Sequence, residues 1–209
     1  MGANSLDTNT TGSYNVGVGN FTLNNNTTGQ QNTALGEDAM DANTTGSYNV
    51  GVGRIALQSN TTGSENTAVG ALSLDATTTG NNNTSVGEQS LTTNTTGGNN
   101  TAVGTGALAL STTASNNTAV GKAALSANTT ASYNTAVGAS ALAANTTGTN
   151  NQAYGQQALD QVTNGSQNIG IGNGTGSYLV NLTTGSGNIL IGHVCKTTAS
   201  DTNYATGIG

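Results

Sequence analysis

Composition sets the first limits on this chain of 209 residues, in which charged residues make up 6% and aromatic residues 3%, and proline and tryptophan are absent. This composition is unlike that of a globular enzyme, and it lacks the high net charge or abundant proline of disordered chains. With a net charge of −6 and only three cationic side chains, the sequence offers no basic stripe for phosphates and predicts that nucleic acid is not a partner.

The first residues, MGANSLDTNT, contain no cationic segment and no apolar run, and no stretch of the chain holds eighteen consecutive apolar residues. We therefore expect no signal peptide and no membrane insertion. Residues 1–8 form a short lead-in before the first repeat. Cys195 is the only cysteine, so a disulfide within the chain is impossible.

A repeat of seventeen residues begins at Asn9. The segment NTTGSYNVGVG at 9–19 recurs at 43–53, and NTTGQQNTALG lies halfway between the two copies. The consensus is N-T-T-G-x-x-N-T-A-V-G-x-x-A-L-x-x, and its closing glycine recurs at every seventeenth position from Gly19 to Gly172. An eleventh unit closes at Gly192 after twenty residues, which indicates a three-residue insertion within 173–185. Such a period predicts a solenoid of stacked coils over 9–192.

Within each unit, N-T-A-V-G predicts a short strand with a bulky residue on one face and a small residue on the other. The bulky positions include Val18, Val52 and Val69, and each follows glycine, alanine or serine. The second half of the unit shows the same small-then-large pattern, with Leu57, Leu74 and Leu125 among the large residues, and predicts a second strand. The predicted fold is all-β, a parallel β-roll or β-solenoid of about eleven coils, followed by an irregular segment at 193–209.

Two residues of the unit are fixed. The closing glycine indicates a left-handed backbone or a contact with no room for a Cβ atom, whereas Ala114 and Ala131 replace the glycine of NTTG, so that position needs a small residue more than positive φ. The asparagine before the strand predicts a ladder of amides joined from coil to coil. The structural positions that we single out are Asn15, Asn32, Asn49, Asn66, Asn83, Asn100, Gly19, Gly36, Gly53 and Gly70.

A single coil has little apolar area with which to stabilise itself. Ordering seventeen residues costs on the order of 17 to 34 kcal/mol of backbone entropy, and each buried aliphatic side chain returns only about 1.5 to 3 kcal/mol. We therefore expect the small residues to fill the coil interior and both the valine and the leucine ladders to contact other subunits. The predicted assembly is a homotrimer about a threefold axis.

Few residues have the chemistry of a catalytic or metal site. His193 is the only histidine and lies two residues from Cys195. A trimer would bring three copies of this pair near one axis, so the two residues are weak candidates for metal ligands. The alternative, which we favour, is that H-V-C simply ends the last coil. Glu37, Asp38, Asp41 and Asp160 do not recur with the period and are interpreted as a solvated set. The sequence predicts no enzymatic activity and no cofactor.

Tyr14, Tyr48 and Tyr133 occupy one position of the unit, just before the fixed asparagine. If this position faces solvent, the tyrosines are candidates for receptor contact, because aromatic faces stack on sugars and the phenol forms hydrogen bonds. The alternative is that their rings cover neighbouring coils.

Units such as NTTGSYNVGVGNFTL and NTTASYNTAVGASAL resemble the repeats of bacteriophage tail fibres and tailspikes that carry an endosialidase-type intramolecular chaperone. N-T-A-V-G also resembles the N-S-V-A-x-G strand of trimeric autotransporter adhesin heads, and both resemblances imply a homotrimer of parallel β-rolls. The ending, GSGNILIGHVCKTTASDTNYATGIG, is similar to the region just before the chaperone in those fibres. Because no chaperone follows Gly209, we expect a cut chain or a mature product.

The expected function is therefore a structural segment of a phage tail fibre in the virion, which displays a rigid trimeric polar surface for attachment to a host glycan. The alternatives are a cell-surface adhesin head or a self-assembling extracellular fibre. An ice-binding solenoid is a remote alternative, because the adjacent threonines of NTTG point to opposite faces and do not form a flat array.

Overall fold

A computed structural model describes residues 2–176, 182–195 and 197–209 as an all-β parallel solenoid of about eleven turns. Each turn contributes one strand of three residues, and each strand pairs in parallel with the next to form one sheet in the order β1 to β12. The strands are β1 Val16–Val18, β2 Thr33–Leu35, β3 Val50–Val52, β4 Thr67–Val69, β5 Thr84–Val86, β6 Thr101–Val103, β7 Thr118–Val120, β8 Thr135–Val137, β9 Gln152–Tyr154, β10 Ile169–Ile171, β11 Ile189–Ile191 and β12 Thr206–Ile208.

The register of the sheet follows the repeat. Partner residues are seventeen apart between β1 and β10, as in the pair of Val69 with Val86. Between β10 and β11 the offset grows to twenty, with Ile169 paired to Ile189, yet the strands stay in register. The predicted three-residue insertion lies in this turn, where residues 177–181 are outside the described residues. The extra residues therefore do not break the sheet.

Each strand places its middle residue inside the coil and its outer two residues on the surface. Ala68, Ala102 and Ala136 are fully buried middle residues, whereas the valines that follow them face outward. The interior is narrow at this level, because a Cβ atom added to Gly51 would lie 2.9 Å from Cγ of Met40. Small middle residues are thus a packing requirement.

The second half of each coil differs from the prediction. It forms no strand in the described coils, so the prediction of two strands per coil is wrong. Leu57, Leu74 and Leu125 are fully buried within a single chain, and so are the alanine or serine residues before them. Because neighbouring residues both point inward, this segment is a turn that fills the coil. The prediction that the leucine ladder contacts other subunits is therefore also wrong.

Left-handed backbone conformations explain how two adjacent side chains enter the core. Leu57 has φ of 52°, and Ile55 two residues earlier has φ of 65°, and both positions are left-handed throughout the described coils up to Leu159. This conformation costs a non-glycine residue roughly 1 to 2 kcal/mol. Full burial of a leucine returns about 1.5 to 3 kcal/mol, which is comparable with the cost at the leucine itself. The turns also stack by backbone hydrogen bonds, as from Leu57 N–H to Ser73 O at 3.1 Å.

The closing glycines bring successive coils into direct backbone contact. Gly19 to Gly192 have φ between 129° and 139° at this position, a region that only glycine adopts readily. A Cβ atom added to Gly104 would lie 2.6 Å from the carbonyl carbon and oxygen of Gly121. Both reasons predicted for an invariant glycine are therefore present together.

The chain end continues the stack further than the sequence suggests. Within residues 193–209, which the sequence predicts to be irregular, β12 pairs with β11 through Ile191 and Ile208. The described part of the chain contains no helix that is long and apolar enough to cross a lipid bilayer.

Candidate functional site

The asparagine before each strand forms a continuous buried ladder. The backbone N–H of Asn32 donates to Oδ1 of Asn15 at 2.9 Å, and the Nδ2 group of Asn32 donates to the Gly46 carbonyl at 2.9 Å. Asn49 and Asn66 repeat both bonds one coil further on. Each amide thus ties its own coil to the next, so this column is structural and is not available to a ligand.

A second asparagine column begins at the first residue of NTTG, and the sequence analysis did not identify it. The Nδ2 group of Asn43 donates to Oδ1 of Asn26 at 2.8 Å, and that of Asn60 donates to Oδ1 of Asn43 at 2.8 Å. These side chains are fully buried. The signal in the sequence was the recurrence of asparagine at this position in seven units: Asn9, Asn26, Asn43, Asn60, Asn94, Asn128 and Asn145.

Three substitutions interrupt this second column and leave amide oxygens without partners. Asn60 Oδ1 meets Thr77, whose hydroxyl instead donates to the Asn94 carbonyl at 3.0 Å. Asn94 Oδ1 meets Ser111, whose own hydroxyl also lacks a partner. Asn145 Oδ1 meets Val162, which has no side-chain donor. The gaps have a common cause, since the next coil lacks an asparagine.

The outer face of the sheet carries many of the large apolar residues that remain exposed, and others, such as Phe21 and Leu110, lie outside the strands. The last residue of each strand forms a row along the solenoid, in which Val18 is 47% exposed and Ile171 is 42% exposed. The first residue of the strand forms a parallel row, which is threonine in Thr67, Thr84 and five of the other strands. From β4 to β8 the apolar row is one residue wide and runs beside a threonine row, whereas in β1, β3, β10 and β11 the first residue of the strand is also apolar. The row consists of Val18, Leu35, Val52, Val69, Val86, Val103, Val120, Val137, Tyr154, Ile171, Ile191 and Ile208.

The tyrosine position faces solvent. Tyr14 is 84% exposed, Tyr133 60% and Tyr48 55%. Each has a left-handed backbone with φ between 60° and 64°. The Nε2 group of Gln31 donates to the phenol oxygen of Tyr48 at 3.4 Å. An open groove of about 420 Å³ is lined by Tyr14 and Gln31. The fold therefore brings two of the three candidate tyrosines into one cluster and leaves Tyr133 elsewhere on the same column.

His193 and Cys195 do not share a strand face. β11 ends at Ile191, and Val194 between the two residues has a left-handed φ of 55°. His193 is exposed, whereas Cys195 is half-buried and packs against the core. Cys195 lies three residues after the closing glycine of its coil, the position at which Ala158 and the other small residues of the second half are buried. Within the described ranges, no three histidine, cysteine or acidic residues form a cluster suited to a metal ion.

The acidic residues lie on the surface or at its edge. Glu37 is exposed, whereas Asp38, Asp41 and Asp160 are half-buried. Burial raises the pKa of the Asp41 carboxyl above its ordinary value of 3.8, the nearby Asp38 adds to this rise, and a hydrogen bond with the Asn24 side chain opposes it.

No protein-family model, curated protein or solved structure matches the chain.

Proposed function

We propose that this chain is a rigid rod segment of a phage tail fibre, which assembles as a homotrimer and presents its polar flanks to glycans on the host surface. The observation that carries the proposal is the apolar row on the outer face of the sheet, from Val18 to Ile208. The resemblance of the repeats to tail fibres gives the biological setting.

The shape of the row favours three chains. From β4 to β8 it is one residue wide, and the whole row follows the rod for roughly 55 Å at a strand spacing of about 4.8 Å. Two flat faces placed against each other would also bury the threonine row. Three rods about an axis meet along a line, so that each contributes its valine row to a narrow core. Burying the exposed parts of the row residues would contribute on the order of 10 kcal/mol per chain.

Oligomeric mass tests the proposal directly. Sedimentation equilibrium should give three times the chain mass of 20.4 kDa. The triple change Val69→Thr, Val86→Thr and Val103→Thr keeps β-branching but places hydroxyls in the row, and we expect it to shift the mass toward that of a monomer. The matched control, Thr62→Ser, Thr79→Ser and Thr96→Ser, also changes one methyl group per coil, in an exposed column away from the sheet. A wild-type monomer would contradict the proposal.

The same face supports ice binding as a second candidate function. In the NTTG segment, the Thr44 hydroxyl donates to the Thr61 carbonyl of the next coil at 3.0 Å, whereas the Thr45 side chain is exposed. The two adjacent threonines of each unit therefore do not form two outward rows. The strands do form them, because β4 to β8 all have threonine first and valine last. These side chains make a flat array with about 7 Å between rows and about 4.8 Å between coils. Thermal hysteresis by a monomer would favour this function over the fibre.

A further inference from the structure

The tyrosine position contains residues that the fold does not require. It is left-handed in every described coil that has a residue other than glycine there, and four coils fill it with asparagine: Asn82, Asn99, Asn116 and Asn150. Asparagine is the natural choice, because its side chain suits this conformation better than others do. A tyrosine at the same place adds backbone strain and exposes an aromatic ring to water. Stability alone therefore does not account for the tyrosines.

One tyrosine of this column does have a packing role. Tyr204 covers Gly187 of the preceding coil, since a Cβ atom added to that glycine would lie 2.6 Å from the tyrosine ring. Tyr14 is the most exposed residue of the three candidates. Tyr48 follows Gln31, whose amide it meets by a hydrogen bond instead of packing over a glycine. Covering a glycine of the neighbouring coil therefore explains Tyr204 but not Tyr48.

The first coils bring these side chains together. Tyr14, Gln31 and Tyr48 succeed one another in the column, so that an amide lies between two aromatic rings. The rings are two coils apart, or roughly 10 Å along the rod, a span close to that of a disaccharide. The open groove beside Tyr14 and Gln31 leaves both side chains accessible to a ligand that lies along the surface. Tyr133, by contrast, has asparagine at this position in both neighbouring coils.

We propose that Tyr14, Gln31 and Tyr48 form a binding site for a neutral saccharide. The faces of the two rings stack on the C–H groups of a pyranose, while the Gln31 amide and the Tyr48 phenol bind its hydroxyl groups. The next residue of the column is Glu65, and no residue of the column is cationic. An acidic sugar would therefore meet a negative charge without a partner.

This site rests on the proposed function, because it names the class of glycan that the fibre contacts. A trimer places three copies of the site at one level of the rod. A single contact of this kind is weak, and three contacts on one cell surface strengthen one another through their high effective concentration.

Nuclear magnetic resonance of the full chain with ¹³C-labelled tyrosine rings tests the site, with single Tyr→Asn variants assigning the six tyrosines. The probes are the methyl glycosides of glucose, galactose, mannose and N-acetylglucosamine, with N-acetylneuraminic acid as the acidic comparison. We expect at least one neutral sugar to shift the ring signals of Tyr14 and Tyr48 while those of Tyr133 and Tyr204 stay in place. The double change Tyr14→Asn and Tyr48→Asn should weaken that sugar's binding by roughly tenfold or more.

The control is Tyr133→Asn, which removes a tyrosine from the same column and should leave sugar binding unchanged. Asparagine is the residue of other coils at this position, so these variants preserve the fold, which their unchanged mass and melting temperature would verify. Shifts confined to Tyr133 or Tyr204, a preference for the acidic sugar, or no shift with any neutral sugar would overturn the site. If the double variant still forms a trimer and adheres to host cells as the wild type does, the fibre proposal stands and the site alone fails.

Discussion

At the scale of single residues, glycine is required in one column and only preferred in another. Gly104 closes its unit with φ of 131° against the backbone of Gly121. Gly97, in the same coil, lies outside the left-handed region, and its column already accepts Ala114 and Ala131 in later units. The same substitution at these two glycines therefore separates backbone conformation from size.

We expect Gly104→Ala to destabilise the fold by about 3 kcal/mol or more, because it combines an unfavourable φ with a clash between coils. A Cβ atom at Gly97 would also crowd the backbone carbonyl of Ala114, but the coils that carry Ala114 and Ala131 adapt to such a methyl group and no positive φ is required there, so Gly97→Ala should cost less. Thermal unfolding followed by circular dichroism measures both variants. Equal losses of stability would show that the left-handed conformation contributes nothing to the requirement.

The gap at Ser111 in the second asparagine column offers a stabilising change. Ser111→Asn would donate from its Nδ2 group to the unpaired Asn94 Oδ1 and accept from Asn128, as the unbroken part of the column does. Two restored hydrogen bonds should raise the stability by about 1 to 2 kcal/mol, and the melting temperature by a few degrees.

The control for this change is Ser111→Ala, which removes the unpaired hydroxyl without supplying a donor to Asn94. Its melting temperature should lie below that of Ser111→Asn. If the asparagine variant melted below the wild type, the unpaired oxygens would not arise from the break in the column.

Asp41 gives stability a defined dependence on pH. Burial raises the pKa of its carboxyl in the folded state, so folding favours the protonated form. The contribution of Asp41 to stability is then fully present below its ordinary pKa of 3.8 and is lost as the pH rises through the higher folded value. Asp41→Asn should therefore raise the melting temperature at pH 7 and have a smaller effect at pH 3.

Asp7→Asn controls for the loss of one negative charge, because Asp7 is exposed. Melting curves of both variants and the wild type from pH 3 to pH 7 test whether the stabilisation depends on the ionisation of Asp41. A stabilisation by Asp41→Asn that is as large at pH 3 as at pH 7 would contradict the assigned cause.

At the scale of elements, the sequence correctly predicts the strand in the first half of each coil, whereas the second strand that it predicts in the other half does not form. The N-T-A-V-G strand is recognisable because its small and large residues alternate and do lie on opposite faces. Ala56 and Leu57 show the same small-then-large order, but both enter the core, because the residues at 55 and 57 are left-handed. Sequence patterns indicate side-chain size, whereas positive φ at isoleucine or leucine has no such signature.

The same ambiguity explains the error about the core. A valine ladder and a leucine ladder have equal apolar character, and only the path of the turn decides that Leu74 is inside and Val69 is outside. The candidate site was predictable in part. The position of Tyr14 and Tyr48 in the unit suggested a surface column, but the partnership with Gln31 depends on stacking of side chains that spacing alone does not reveal.

At the scale of the whole molecule, the coils are interchangeable units that contact only their neighbours in the stack. Deleting residues 88–104, one complete period from β5 to β6, should leave a folded rod shorter by about 4.8 Å, because Gly87 then stacks on Gly121 in unchanged register. Small-angle scattering measures the length, and circular dichroism verifies the fold.

A deletion of nine residues, 88–96, is the control for this prediction. It removes part of one period, so the large and small columns no longer coincide across the junction. We expect this variant to unfold at a lower temperature or to aggregate. If both deletions were tolerated equally, stacking in register would not be what stabilises the solenoid.

The constant offset between paired strands has a consequence for the gene that encodes them. Recombination between near-identical repeats adds or removes whole coding units, and the copies at 9–19 and 43–53 are identical in all eleven residues. Each such event changes the reach of the rod by one fixed increment and leaves every surviving contact as it was. The length of this protein can therefore change by whole coils through recombination, without selection for a new fold.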